Sequence, residues 1–397
     1  MPVAHTARNR LVLTAHAPER LVWREAVSAM QNAFCDVVAW DSASITPERM
    51  KRLFALPPER SGLEAYPDLF FSVNFHGLDK HGDIAGICAT NGIPVAVWCV
   101  DNPWNLLAGL RTLFWQNIHI FVTDASFIPG LREHGARHVT CMPLATDTHI
   151  FAPNSTKQPI ILPEPPMNPV VFVGRSAFPD KDRFFVGQHV PETTLQHAVE
   201  ATHDGARPDF FWWSRELGSP GEQTSLWPGS AARKASLGAE ETSRLWRAAC
   251  LAASLPCGLT IFGDNGWADL LPPQTKTPDI RGMVDYYTRL PDIYRTAAYS
   301  LVTTSLLLPH GLNQRHFDVW CAGGFALLDK TPGLDLFPEE LTEAVTFEFP
   351  NDIPAIVRRF SADHAEKTRL TNAWRTHILM EHTYNRRIKI LLQTIFT

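Results

Sequence analysis

The chain has 397 residues, 45% of them hydrophobic, a length that suits about two domains, each with its own core. A net charge of -5 gives no basic footprint and argues against nucleic acid as the main partner, while leaving room for local phosphate-binding pockets. The seven cysteines form no CxxC pair and mostly lie within apolar runs, the pattern of buried, reduced thiols rather than of a disulfide framework or a zinc site.

The first residues, MPVAHTARNR, contain no apolar stretch of signal-peptide type. The longest apolar runs, such as IPVAVWCV, cover about half of the ~18 residues a membrane span needs. A cytoplasmic protein without a membrane span is therefore expected, with peripheral association with a membrane surface left open.

In chain order, RLVLTA is a strand, RLVWREAVSAMQNAF has helical spacing, and CDVVAW is again a strand. PDLFFSVNF is a buried strand bounded by a proline and a polar turn. DIAGICATNG predicts a helix stopped by Asn91-Gly92, followed by the strand PVAVWCV; NIHIFVTD and HVTCMPL are two further strands. Short buried strands alternating with helices imply a parallel sheet covered on both faces. Residues 152 to 168, with five prolines among polar residues, read as a linker. The alternation then resumes with PVVFVGR. A helix-rich insertion follows at about 186–255, in which DFFWWSRE is either a core helix or an aromatic surface. LTIFGDNGW and IYRTAAYSLVTTSLLL come next, and the tail from residue 366 is a long helical pattern with basic residues near its end. The fold class is thus α/β, with two doubly wound domains: 1–151, and 169–375 after the linker, with residues 376–397 as a terminal helix crossing back to the first domain. Ligands of such sheets bind outside the carboxyl ends of the strands.

The stretch HGLNQRHFDVWCAGGFALLD, residues 310–329, carries the most chemistry. After the strand SLVTTSLLL, Asn313 is placed to cap a short helix from Gln314 to Ala322, and Gly323-Gly324 to end it. The helix N-terminus would then offer free N–H groups, with Arg315 in its first turn able to grip an anion bidentately. Asp318, one turn on, suits the two vicinal hydroxyls of a ribose; a capped helix with an ordinary surface Asp is the plain alternative.

This stretch resembles the segment that closes the donor site of two-domain GT-B glycosyltransferases. It is nearest to the CgeB-like (spore maturation protein) group, with its N-x-R-x-F-E-x-x-A-x-G-G pattern. Other pieces follow in the family's order. PVVFVGRSAFPDKDRFF is similar to the first strand and phosphate-facing loop of the nucleotide domain, with Gly174, Arg175 and Arg183. LTIFGDNGW is similar to a strand end carrying Gly263 and Trp267. LPDIYRTAAYSLVTTS resembles the element flanking the nucleotide base, which makes Tyr294, and with it Tyr286, candidates for the nucleotide side or else core tyrosines. GIPVAVWCVDNPW resembles a first-domain strand with its D-x-P loop, and MPLATDTHIFAP a domain-junction segment.

The resemblance implies a GT-B fold of two Rossmann-like domains with a cleft between them. It also implies a transferase using a nucleotide-diphosphate-sugar donor, without a metal or other cofactor. The bacterial role it suggests is glycan biosynthesis, with a carbohydrate or a protein such as flagellin as acceptor. The departing diphosphate would be stabilised by Arg175, Arg315 and Arg183 with backbone at Gly174 and Asn313. An inverting reaction needs a base, for which Asp101 and His76 follow first-domain strands. His310 and Asp318 match the positions of the family's Glu-x7-Glu pair; the histidine leaves sugar recognition and stereochemistry open. The DKD at Asp180–Asp182 formally matches a metal motif but reads as a loop. Two rivals are a sugar-nucleotide epimerase-like enzyme on the same fold and a non-catalytic sugar-nucleotide binder.

Overall fold

The computed structural model describes residues 9–58, 65–152, 168–203, 205–218, 229–271 and 276–397. The chain divides into two compact units, one running from the N-terminus to Pro143 and joined by Tyr384–Thr397, the other running from Leu144 to Thr383.

The first unit holds six parallel strands: β1 (Arg10–His16), β2 (Cys35–Asp41), β3 (Leu69–Val73), β4 (Val95–Cys99), β5 (His119–Val122) and β6 (His138–Cys141), in the order β2-β1-β3-β4-β5-β6. β3 and β4, LFFSV and VAVWC, are buried at every position, as strands covered by helices on both faces must be. β2 lies at the edge and is buried only in part. The terminal helix Tyr384–Phe396 packs on this unit: Tyr384 meets Trp98 edge-on at 6.0 Å, and Arg387 Nε donates to the Pro143 carbonyl at 2.8 Å.

The second unit holds β7 (Val170–Val173), β8 (Leu259–Phe262), β9 (Asp279–Arg281), β10 (Tyr299–Val302), β11 (Ala326–Asp329) and β12 (Thr346–Phe347), all parallel, in the order β12-β11-β10-β7-β8-β9. Counted from β7, this is the 3-2-1-4-5-6 order of the dinucleotide-binding fold, with its topological switch between β7 and β10. In the first unit the order reverses between β1 and β3. Trp320 and Trp374 stack at 4.8 Å and 2° in the core of the second unit, with Phe337 edge-on to Trp374.

The boundaries differ from those read in the sequence. The first break falls at Pro143/Leu144 rather than at 151, because Thr146–Phe151 packs on the second unit: Thr146 bonds to Asp318, and the Phe151 ring meets Tyr286 at 5.2 Å. The tail is not one helix from 366, nor does its return begin at 376. The helix His364–Glu381 stays with the second unit through Trp374 and is interrupted at His382-Thr383. There the His382 carbonyl accepts the Thr146 N–H at 3.0 Å, and Thr383 bridges to Thr146. The Pro-rich linker lies mostly outside the described residues.

The insertion resolves into helices Glu192–His203, Phe210–Glu216 and Gly229–Ser254. DFFWWSRE is a helix capped by Asp209, whose carboxylate accepts the Trp212 N–H at 2.8 Å, with Phe210 and Trp213 buried. Gly238 sits mid-helix in Gly229–Ser254 because a Cβ there would overlap the Trp213 ring. The seven cysteines are free thiols, five of them buried. Among the described residues no helix is long and apolar enough to cross a membrane.

One buried carboxylate ties the insertion to the sheet. Asp329, fully buried at the end of β11, accepts Arg207 Nη2 at 2.6 Å, Trp246 Nε1 at 2.9 Å, Thr304 Oγ1 at 2.9 Å and the Thr304 N–H at 3.0 Å. Removing one partner of such a pair leaves the other charge without compensation. Asp329→Asn is therefore expected to lower stability by about 3 kcal/mol, read as a fall in the urea midpoint, with loss of helix content if the insertion detaches.

Candidate functional site

The centre of the second unit's site is the crossing between the loops that follow β7 and β8. Gly174 directly follows β7, and its N–H donates to the Phe262 carbonyl at 3.0 Å. Its own carbonyl accepts the Trp267 indole N–H at 2.9 Å. Gly263 faces this carbonyl so closely that a Cβ would overlap it, which is why glycine stands there. A second clasp lies beside the first: Asp264 accepts the Ser176 N–H at 3.0 Å, the Ser176 hydroxyl at 2.5 Å and the Gly266 N–H at 3.1 Å. Burial alone would raise the Asp264 pKa, but the hydrogen bonds from Ser176 and Gly266 outweigh it and hold the carboxyl below its usual range. From the insertion, Glu240 accepts the Phe178 N–H at 2.7 Å and the Arg247 guanidinium at 3.2 Å. Four elements thus fix a loop five residues long.

Arg315 reaches this loop from the helix Arg315–Cys321. Its Nη2 lies 3.5 Å from where a Cβ on Gly174 would be. The side chain is half-buried and carries no carboxylate partner among the described residues. The cap forms as the sequence implies, shifted by one residue: Asn313 Oδ1 accepts the Arg315 N–H at 3.1 Å, and Asn313 Nδ2 donates to the Thr303 carbonyl at 2.8 Å. Gly323, with φ of 82°, ends the helix. The expectation of free N–H groups at the helix start is corrected. The N–H groups of His316 and Phe317 donate to the Asn313 and Gln314 carbonyls at 3.1 and 2.9 Å, so the guanidinium, not the backbone, is what this turn offers to an anion.

Asp318 is also corrected. It is fully buried, and its two oxygens accept Thr146 Oγ1 and Tyr286 Oη, both at 2.7 Å. A carboxylate so enclosed is a structural tie and presents nothing to a ribose. Tyr286 belongs to that tie, and its ring packs on Phe151. Tyr294 is 1% exposed, and its ring stacks at 6.3 Å on Phe151, so it is a core tyrosine; burial pushes its hydroxyl well up, opposed by Arg315 and aided by Asp318. Trp267 is fully buried, and its indole N–H holds the Gly174 carbonyl.

Arg175 is exposed on the loop, beside Gly174, and makes no hydrogen bond or ion pair among the described residues. Arg183 is exposed on the short helix Lys181–Phe184, and nothing brings it to the Gly174–Arg315 centre. His310 is exposed on the turn after β10, next to Asp209, with its carbonyl against Gly333. Asp180 takes a left-handed conformation, φ 50°, before that short helix. Among the described residues no group of three or more His, Cys, Asp or Glu side chains is placed to hold a metal ion.

In the first unit, His76 and Asp101 follow β3 and β4. Asp101 Oδ2 accepts Asn74 Nδ2 at 2.7 Å. Its side chain meets solvent yet is crowded by protein; that desolvation raises its pKa, with Asn74 and Arg20 opposing. His76 is held below the usual imidazole range by burial and then Arg20, with Glu19 and the His16 backbone opposing.

Residues 243–393, less than half of the chain, match a family model described as glycosyl transferase-like. No curated protein matches in sequence. Solved structures are similar over nearly the whole length. Anabaena HepE in complex with UDP and glucose gives a TM-score of 0.52 at 8% identity, covering 98% of this chain and 99% of that one. T4 phage BGT in complex with its UDP-glucose substrate gives 0.51 at 8%, covering 98% and 100%. A glycosyltransferase from Rickettsia africae gives 0.51 at 9%, also covering 98% and 100%. The chain has the GT-B fold. At such identities the likeness speaks for the architecture of two Rossmann-like units and not for particular residues. With the family match it supports nucleotide-sugar glycosyl transfer.

Sequence reading missed Ser176, Asp264, Glu240, Arg247 and Thr146. Only Asp264 had a local signal, its place between two glycines after a strand.

Two outcomes follow from this geometry. Gly263→Ala should displace the Gly174 carbonyl from Trp267, lowering stability by about 1–3 kcal/mol, seen in thermal unfolding. His316 is fully buried, with Nε2 lacking a partner among the described residues. Burial, opposed by Asp329 and Asn313 and reinforced by Arg315 and Arg207, takes its pKa down to about 4. Between that value and the ordinary 6.5 the unfolded chain binds a proton that the folded chain refuses, so stability falls as pH drops through this window. Urea titrations at pH 7 and pH 4 should show His316→Gln losing less stability than the parent, by on the order of 3 kcal/mol.

Proposed function

We propose that this chain transfers a sugar from a nucleotide-diphosphate donor to an acceptor hydroxyl, without a metal, the second unit binding the donor and the first the acceptor. The observation that carries the reading is Arg315: a half-buried guanidinium beside the Tyr294 hydroxyl, with no carboxylate partner among the described residues, poised over a residue that has no side chain. Desolvated cations are normally paired with an anion, so one with no anionic partner among the described residues supports a place for a bound anion. It stands beside the switch between β7 and β10, where doubly wound sheets take their ligands.

In the reaction the bond between the sugar's anomeric carbon and the diphosphate breaks, and charge builds on the departing oxygen. Arg315 stabilises that charge, and Arg175 on the same loop adds to it. The acceptor oxygen bonds to the anomeric carbon and gives up its proton, for which Asp101 is the base in an inverting course. The order of motifs favours the CgeB-like group, and with it a bacterial surface glycan or a protein as acceptor. The buried Asp318 favours a ribose site built from other groups than in relatives that carry the longer glutamate.

The test is thermal unfolding of the full chain with UDP, GDP, dTDP, ADP and CMP and their sugar conjugates, with no metal added. A ligand at a hundred times its Kd should stabilise by about 2.7 kcal/mol. Arg315→Ala should weaken binding of the stabilising nucleotide about 10- to 100-fold, the range for a charge-assisted contact. An unchanged affinity in that variant would place the donor elsewhere.

A further inference from the structure

The turn Asn74-Phe75-His76-Gly77 follows β3, and the backbone here is unusual. Asn74 and Phe75 take left-handed conformations, φ 53° and 61°, and Gly77 has φ 84°. Two consecutive non-glycine residues in that region are strained, and such strain persists only where the surroundings enforce it. Here they do. The Asn74 N–H donates to the Trp98 carbonyl at 3.0 Å, and Ser72 Oγ donates to the His76 carbonyl at 2.8 Å. Phe75 is buried, edge-on to Phe114 at 6.2 Å, and a Cβ on Gly77 would come within 2.5 Å of Ala15 Cβ. The turn therefore sits against the end of β1, at the switch between β1 and β3.

The left-handed conformation aims the Asn74 side chain along the end of β4. Its Oδ1 accepts the Val100 N–H at 2.8 Å and lies 3.4 Å from the Asp101 N–H, while its Nδ2 donates to Asp101 Oδ2 at 2.7 Å. One amide thus holds the backbone of the two residues after β4 and the carboxylate of the second, Asp101. We propose that Asn74 is the positioning residue of the acceptor-side base, its strained backbone serving to lock its amide onto Asp101 so that the carboxylate stays ionised and aimed. This rests on the reading of Asp101 as base given above.

The geometry explains the choice of residue. Glycine would relieve the strain but bring no amide; Asn combines tolerance of the left-handed region with a donor of the right reach. The other charged or titratable groups of the first unit acting on this position are Arg20, on the turn after β1, which favours the carboxylate, and the buried Cys99 thiol, whose pKa the carboxylate raises further. His76 lies on the same turn, under Arg20 and Glu19.

The test uses the full chain labelled with 13C at the aspartate carboxyls, the Asp101 signal being the one lost in Asp101→Asn. In Asn74→Gly, which suits the left-handed backbone, the Asp101 pKa should rise by about one unit. In Asn74→Asp a second carboxylate should raise it further. The acid limb of sugar transfer, to acceptor or to water, should move to higher pH with it, since the base works ionised. A folded Asn74→Gly or Asn74→Asp with the Asp101 titration unmoved would overturn the proposal. Turnover surviving in Asp101→Asn would instead sink the base reading, and the titration would still report whether Asn74 controls the carboxylate.

Discussion

The second unit depends on the bond from the Trp267 indole to the Gly174 carbonyl. It brings the ends of β7 and β8 so close that no side chain fits at Gly263, and it turns the following loop so that Ser176 meets Asp264 and Phe178 meets Glu240. Because Trp267 is buried and edge-on to Phe172, the donor of this bond is held in one orientation. Arg315 then passes over Gly174 without obstruction. A Cβ at 174 would run into the Phe172 ring.

Three arginines of the second unit differ in how their charge is met, and the difference supports Arg315 as the proposed anion contact. Arg207 is neutralised by Asp329 at 2.6 Å, a pair that binds the insertion to the sheet, and Arg247 by Glu240 at 3.2 Å on the same insertion helix. Arg315 has no such partner among the described residues, while Arg247 acts on it as a like charge. Two cations are thus close enough to interact, and under the proposed reading a diphosphate would relieve their repulsion. The insertion, which looked peripheral in the sequence, supplies one of these charges and the carboxylate that steadies the loop.

The strands were legible because strands buried on both faces leave unbroken apolar runs such as LFFSV and VAVWC, and the end of the Arg315 helix because only a left-handed cap needs the glycine there. What stayed hidden depended on partners distant in sequence. Asp318 falls at the same helical position whether it faces a ligand or Thr146, which is 172 residues away. Trp267 and Tyr294 read alike as core or as stacking platforms, since an aromatic serves either purpose. The break at His382 was invisible because its cause is the Thr146 N–H, outside the tail altogether. Helical pattern reports a face, but not what covers it.

The two units meet the same geometrical demand in different ways. In each sheet the strand order reverses at one place, and there two loops diverge and leave room above the strand ends. In the second unit the space is kept by leaving out side chains: Gly174 and Gly263 let backbones touch while a long arginine reaches in. In the first unit the turn after β3 bends through left-handed conformations that glycine alone adopts freely, yet two of the three positions carry side chains. Phe75 is accounted for by the core it fills. Asn74 fills no core: its amide reaches the Val100 N–H and the Asp101 carboxylate. Glycine would ease the backbone there but would leave the Val100 N–H and the Asp101 carboxylate without the amide that holds both, and under the proposal it is the carboxylate that the amide serves.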